Sequence, residues 1–199
     1  YQLAKKPQAL EIATKLGTWV YNRVAGWTED IRKRVLAIEY GGMNDCMYEL
    51  YKETGRAEFA EAAAKFDEED LFRRIADGKD VLANKHANTT IPKFLGALNR
   101  YIALGESESF YFIAAKSFFD IVTRSHTYVT GGNSEWEHFG EPRVLDAERT
   151  SCNCETCNTY NMLKLTRALF KATGDVRYSD YYENTFINAI LSSQNPQTG

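Results

Sequence analysis

The sequence predicts an all-α protein built from repeated α-hairpins. It contains only four prolines among 199 residues, so long stretches are free of helix breakers. Apolar residues recur at helical spacing, and no segment shows a convincing strand pattern. Three predicted helices end at a glycine, namely Gly55, Gly105 and Gly174, and each is followed by a polar turn and a second amphipathic helix. Long polar insertions precede the hairpins, which favours a closed α/α toroid over an open solenoid.

The N-terminal part of the chain is predicted to form three helices. In the first, Ile12, Leu16 and Trp19 recur at helical spacing and mark an apolar face. The second opens at a glycine pair, and the third is short and rich in alanine and glutamate. These predicted helices lie within residues 8–24, 41–55 and 57–66.

The rest of the chain alternates polar loops with helices. Residues 67–90 lack a clear period and are interpreted as a long loop with one short helix. Pro92 lies in the first turn of the following helix, where its missing N–H is tolerated. A second polar stretch covers 125–157, and Asn158 or Thr159 is the expected N-cap of the helix after it. The helix that begins near Pro92 is predicted to end at Gly105. The other helices predicted in this part cover about 70–76, 107–124, 158–172 and 176–191.

The charge balance argues against nucleic-acid binding. The chain has 24 basic and 27 acidic residues and a net charge of −3, whereas nucleic-acid-binding proteins usually carry a basic surface. Aromatic residues make up 13%, which supports a packed core. No apolar run approaches the roughly 20 residues needed to cross a bilayer, so no membrane partner is expected. The chain begins at Tyr1 without an initiator methionine, so the lack of a signal peptide leaves the compartment open between a bacterial-type cytoplasm and periplasm.

A cysteine cluster indicates metal binding or thiol chemistry. Cys152, Cys154 and Cys157 fall within six residues, and with Glu155 they offer thiolate and carboxylate groups, which are good Zn²⁺ ligands. On a regular helix Glu155 and Cys157 would point about 200° apart, so a shared metal requires a non-helical stretch that ends before Asn158. Two other interpretations stay open: three unreactive thiols, or a strained disulfide between the first two cysteines.

A polar segment at residues 130–141 combines glycines with a candidate general acid. The pair at 131–132 lets the backbone approach a ligand closely. Glu137 lies between Trp136 and Phe139, and partial desolvation there would raise the pKa of a carboxyl group toward general-acid use. The alternative is a solvated acidic loop.

Four motifs follow one another in the sequence. They are YGGMND at 40–45, HANT at 86–89, TGGNS at 130–134 with EHF at 137–139, and ETCNTYNMLKLTR at 155–167. In this order the chain resembles the cysteine-dependent β-L-arabinofuranosidases, glycoside hydrolase family 127 and its relative family 146, over about residues 38–199. The resemblance implies an (α/α)₆ barrel, so we expect residues 1–199 to form part of one catalytic barrel domain.

The resemblance also implies a reaction and a metal. Members hydrolyse terminal β-L-arabinofuranosides with retention of configuration, using a zinc ion held by three cysteines and one glutamate. One of these cysteines is the nucleophile, and a separate glutamate is the acid/base. Matched by motif, Glu155 and Cys157 are the expected zinc ligands. Glu137 is the expected acid/base, although Trp136 stands where a glycine is common.

The remaining expectations concern substrate and completeness. His86 is expected to line the sugar pocket, with helix capping as the alternative, and Asn44 and Asp45 are expected to border it. The family's adjacent cysteine pair, which supplies the nucleophile and the last zinc ligand, is expected beyond Gly199. The expected partner is an arabinose-containing oligosaccharide or glycoconjugate, and an exposed apolar edge on the incomplete toroid predicts self-association into a homo-oligomer.

Two functions of other classes stay open. The first is a non-catalytic α/α carbohydrate-binding module, which would keep the pocket without the chemistry. The second is a structural zinc module built on Cys152, Cys154 and Cys157.

Overall fold

The computed structural model describes residues 1–38, 40–147 and 150–198, and helices dominate these ranges. Only isolated β-bridges occur there besides helices, turns and loops, which confirms the all-α prediction. The helices are α1 (Pro7–Val24), α2 (Glu29–Leu36), α3 (Met43–Thr54), α4 (Ala57–Ala64), α5 (Glu69–Ala76), α6 (Ala87–Leu104), α7 (Ser109–Ser125), α8 (Thr156–Thr173) and α9 (Val176–Thr185). Short helical turns follow at Glu106–Glu108, Phe186–Ile190 and Leu191–Ser193.

The three predicted hairpins are present. Helices α3 and α4 are joined at Gly55, α6 and α7 at Gly105, and α8 and α9 at Gly174. Gly55 and Gly174 adopt the left-handed conformation, with φ of 68° and 70°, and their N–H groups close the last turn of the preceding helix. These glycines predict the helix ends correctly, because a residue with a Cβ atom is disfavoured in the left-handed conformation at this position.

Two helix predictions need correction. Helix α2 was not predicted, although Thr28 accepts a hydrogen bond from the Ile31 N–H at 3.3 Å as an N-cap. Helix α8 begins at Thr156 and not after Asn158, because Glu155 takes a non-helical N-cap conformation with φ −50° and ψ 133°.

Helices α3, α6 and α8 form one layer of an α/α toroid arc. Helix α6 packs against both of the others, and each is covered by the second helix of its hairpin, α4, α7 or α9. Residues 90–99 of α6 are buried throughout, and Phe94 stacks on Phe118 of α7 at 4.0 Å between ring centroids. The starts of α6 and α8 are neighbours, since Asn161 donates a hydrogen bond of 2.8 Å to the Asn88 side chain. The loops that precede these two helices are therefore brought to the same end of the layer.

The first helix presents an apolar face to solvent. Ile12, Leu16 and Trp19 of α1 are all more than half exposed, so the predicted apolar face of this helix is not its packed face within the described residues. Val24 and Gly17 are buried instead, and α1 packs against α3 and α4. This surface matches the apolar edge expected from the sequence, and self-association through it stays a prediction. No helix of the described ranges has the length and hydropathy to cross a bilayer.

A buried carboxylate joins α3 to α6. Asp67 lies in the loop before α5 and accepts hydrogen bonds from Asn44 Nδ2 at 2.9 Å, Tyr48 OH at 2.7 Å and Arg100 Nη1 at 2.9 Å. The Asp67 side chain is 1% exposed, so its charge depends on these donors for its stabilisation.

We expect Asp67→Ala to destabilise the protein by about 2–4 kcal/mol, because the buried Tyr48 hydroxyl loses its acceptor and the half-buried Arg100 guanidinium loses one of its two carboxylate partners. Asp67→Asn should be milder, since it keeps one acceptor oxygen. Urea unfolding followed by circular dichroism measures both variants. Asp77→Ala is the control: its side chain is 55% exposed and lies 3.7 Å from Lys79, so a change within about 0.5 kcal/mol is expected. Equal stabilities for Asp67→Ala and Asp77→Ala would contradict the structural role of Asp67.

Candidate active site

The centre of the candidate site is a two-residue hairpin turn. Glu135 and His138 exchange both backbone hydrogen bonds, each at 2.9 Å, and Trp136 and Glu137 form the turn between them. Both central residues have positive φ, 45° for Trp136 and 67° for Glu137, as a type I′ turn requires. Glycine and asparagine are the usual residues at such positions, so a tryptophan and a glutamate are held here in a strained backbone conformation.

Two neighbouring segments hold this turn in place. On one side the Ala87 N–H, the first of helix α6, donates to the Glu137 carbonyl at 2.8 Å. On the other side the Trp136 N–H donates to the Cys152 carbonyl at 2.9 Å. The Glu137 backbone is thus fixed between the segment before α6 and the segment before α8. Strain of this kind persists only where the surroundings over-determine the conformation.

His86 orients the Glu137 carboxylate. It is the N-cap of α6, and its Nδ1 accepts the Thr89 N–H at 3.3 Å. A nitrogen that accepts a backbone N–H carries no proton, so the neutral ring bears its proton on Nε2. Nε2 lies 3.3 Å from Glu137 Oε2 and therefore donates to it. The capping role considered for His86 is confirmed, and the same ring contacts the candidate acid.

Glu137 is more exposed than the sequence indicated. Its side chain is 59% exposed, and of the two aromatic residues that flank it in sequence, Phe139 is buried whereas Trp136 is 64% exposed. The predicted desolvation between Trp136 and Phe139 is therefore wrong for the described residues, because the turn projects its central side chains from the hairpin.

Glu155 and Cys157 face one another at the start of α8. A hydrogen bond to the Glu155 carboxylate is the largest cause that raises the pKa of the Cys157 thiol, and slight desolvation and the Glu155 charge add to it. The charge of Glu137 is the smallest of the causes that raise this pKa. The non-helical backbone of Glu155 explains how this pair meets although Cys157 is helical.

The donor pair fits half of a zinc site. Glu155 and Cys157 offer a carboxylate and a thiol, and Glu155 Oε2 is buried without a hydrogen-bond partner among the described residues. Within residues 1–38, 40–147 and 150–198, no three His, Cys, Asp or Glu side chains are grouped closely enough to hold a metal ion. A complete tetrahedral site would need further ligands.

The other two cysteines do not join the pair. Cys154 is half-buried against Gly132, where a Cβ atom would lie 2.8 Å from its Sγ, and it has a hydrogen bond with the Thr130 side chain. Burial is the main cause that raises the pKa of its thiol. Cys152 is exposed. Nothing in the described geometry supports a structural zinc module built on Cys152, Cys154 and Cys157.

Asn44 and Asp45 belong to the buried joint between helices. Asn44 is fully buried and donates to Asp67 and to the Lys93 carbonyl. Asp45 accepts hydrogen bonds from Asn99 Nδ2 at 2.6 Å and from Lys164 Nζ at 3.0 Å. Hydrogen-bond partners already occupy the polar atoms of Asn44 and Asp45, so we do not place these two residues in the candidate site. Their contact with the substrate stays a prediction.

The comparisons with known proteins identify the family. The family profile described as "Beta-L-arabinofuranosidase, GH127 catalytic domain" matches residues 1–199. The chain belongs to this family. A search of curated proteins returned no match.

Two solved structures support the fold of this GH127 chain. One is described as a GH127 beta-arabinofuranosidase, with 25% identity and a TM-score of 0.62 over 75% of this chain and 25% of the other. The second is described as a glycoside hydrolase, with 16% identity and a TM-score of 0.71 over 95% of this chain and 35% of the other. The chain thus spans about a quarter to a third of the solved proteins it matches.

Sequence reasoning missed one buried contact of the GH127 site. Asn158, which follows Cys157, donates a hydrogen bond from Nδ2 to Ser134 Oγ, and both side chains are buried. This contact connects the start of α8 to the segment that leads into the Glu137 turn. Both residues lie inside the recognised motifs, but their pairing across 24 positions has no signal in a single sequence.

Glu155→Gln should lower the pKa of Cys157 in the metal-free protein, because the variant removes the charge that favours the protonated thiol. At pH 8 a larger thiolate fraction then reacts, so alkylation of Cys157 by iodoacetamide should accelerate several-fold. Mass spectrometry of the Cys157 peptide measures the rate. Glu137→Gln is the matched control and should have a smaller effect, since Glu137 is the weakest of the causes that raise this pKa. An unchanged rate in Glu155→Gln would refute the contact.

Proposed function

We propose that this chain provides the acid/base residue and two zinc ligands of a retaining glycoside hydrolase acting on terminal β-L-arabinofuranosides. The observation that carries the proposal is the Glu137 turn, which backbone hydrogen bonds tie to the segments at the starts of α6 and α8, where His86 and the Glu155–Cys157 pair lie in this GH127 chain. His86 lies in the loop before α6, whereas Glu137 and Glu155 lie in the long connection between α7 and α8, and backbone hydrogen bonds join the two segments.

The first half of the proposed reaction uses Glu137 as an acid. In this proposal a cysteine thiolate, which the family resemblance implies and which is not among the residues assigned above, attacks the anomeric carbon of the arabinofuranoside. The bond from that carbon to the leaving oxygen breaks, and the Glu137 proton passes to this oxygen. Glu137 becomes a carboxylate, and the Nε2–H of His86 is placed to donate a hydrogen bond to it.

In the second half Glu137 acts as a base. It takes a proton from a water molecule, and the water oxygen attacks the anomeric carbon while the carbon–sulfur bond breaks. The sugar leaves with its original configuration after two inversions, and Glu137 is protonated again. The fixed backbone of the turn keeps one carboxyl group in reach for both steps.

Glu155 and Cys157 would hold the zinc ion. When bound, zinc keeps coordinated cysteine sulfur deprotonated at neutral pH. A bound zinc ion would take the place of the Cys157 thiol proton and would give the buried Glu155 Oε2 a partner. The expected substrate is an arabinose-containing oligosaccharide or glycoconjugate. A carbohydrate-binding module that retains the pocket without hydrolysis is the competing function.

In the full-length protein, Glu137→Gln should reduce kcat/KM about 10²–10⁴-fold on an alkyl β-L-arabinofuranoside, because the leaving oxygen loses its proton donor. The loss should be smaller on a nitrophenyl β-L-arabinofuranoside, whose leaving group departs without protonation. Steady-state kinetics on both substrates measures this difference. Glu141→Gln, an exposed residue of the same loop, is the control and should behave like the wild type. Sugar binding without hydrolysis by the wild-type protein would favour the carbohydrate-binding module.

Zinc content gives an independent test. We expect the full-length protein to bind about one zinc ion and Cys157→Ser to lose most of it, since four ligands form a closed site. The 199-residue chain alone should bind zinc weakly, because no more than two donors are brought together among its described residues. Metal analysis after dialysis measures all three proteins. One tightly held zinc ion in the 199-residue chain would show that Cys152 or Cys154 completes the site.

A further inference from the structure

Trp136 combines a fixed backbone with a free side chain. Its N–H donates to the Cys152 carbonyl at 2.9 Å, and its own carbonyl lies 2.7 Å from His138 Nδ1. Trp136 is nevertheless 64% exposed. In the described part of the chain the indole takes part in no ring–ring or cation–π contact.

The backbone at this position disfavours tryptophan. Its φ of 45° lies in the left-handed region, where glycine is adopted without strain and a residue with a Cβ atom is not. Exposed single apolar residues need no explanation in general. An exposed indole at a strained position is different, because the chain bears the strain without any packing gain within the described residues.

The position of Trp136 beside Glu137 suggests its use. In the proposed reaction Glu137 protonates the oxygen that joins the arabinose to its leaving group. The leaving group must therefore lie next to the turn that carries Glu137, and Trp136 is the other central residue of that turn.

We propose that Trp136 is a stacking platform for the leaving group, and that it makes the enzyme prefer a sugar ring there over a small alkyl group. This inference rests on the proposed function. An indole offers a large, rigid apolar surface that loses little conformational entropy, and the C–H face of a pyranose ring is a flat apolar partner for it. Both backbone polar groups are already bonded, so only the side-chain torsions of Trp136 remain to be ordered on binding.

The test compares two substrates of the full-length enzyme: methyl β-L-arabinofuranoside and a disaccharide in which β-L-arabinofuranose is linked to a pyranose. The quantity measured is the ratio of kcat/KM for the disaccharide to kcat/KM for the methyl glycoside. We expect Trp136→Gly to lower this ratio roughly 3- to 10-fold, the worth of one aromatic contact, and Trp136→Phe to retain most of it.

Two controls separate binding from folding. Glycine suits the φ of this turn, so the Tm of Trp136→Gly should equal or exceed that of the wild type. Trp19→Ala removes an equally exposed tryptophan, 64%, from α1, which packs against α3 and α4, and it should leave the substrate ratio unchanged.

Each outcome has a clear meaning. A lower ratio with an unchanged or higher Tm supports the platform. An unchanged ratio in Trp136→Gly overturns it, and so does a large fall in Tm, which would show that the indole packs against the remainder of the protein. If the wild type hydrolyses neither substrate, the proposed function fails, and that failure is distinct from a failure of the platform.

Discussion

The candidate site depends on the backbone hydrogen bonds that pin one hairpin turn between two helix starts. The Ala87 N–H and the Cys152 carbonyl bind the turn from opposite sides, so Glu137 and Trp136 stay in a conformation that their residue types disfavour. The same bonds fix where the carboxylate lies relative to His86 on α6 and to the Glu155–Cys157 pair on α8. Without them the acid and the metal donors would belong to independent loops.

The helical layer supplies the rigid frame for this turn. Helix α6 packs against α3 and α8, and Asp67 and Asp45 neutralise the cationic side chains at the joint. The hydrogen bonds and ion pairs of Asp67 and Asp45 therefore hold the helices together. This division of labour explains why the chemistry lies on loops at one end of the layer, whereas polar residues inside it serve the fold.

The sequence was informative wherever a residue type has a local consequence. Glycine at the end of α3 and α8 predicted two helix ends, because a left-handed residue is needed there. The ordered motifs predicted which loops matter, and the structure brings His86 and Glu137 to 3.3 Å. The sequence misled where partners are distant: the burial of Asn44 follows from Asp67 and Lys93, which no local pattern reveals. The positive φ of Trp136 is equally invisible, because tryptophan carries no turn signal.

The most direct test of the account is a crystal structure of the full-length protein with zinc, located by anomalous scattering. The account predicts one zinc ion about 2.0–2.2 Å from a Glu155 carboxylate oxygen and about 2.3 Å from Cys157 Sγ, with the Glu137 carboxylate facing the same site. Zinc bound at other residues, or a Glu137 carboxylate that faces away from the zinc ion, would contradict the claim that the segments before α6 and α8 form one catalytic site.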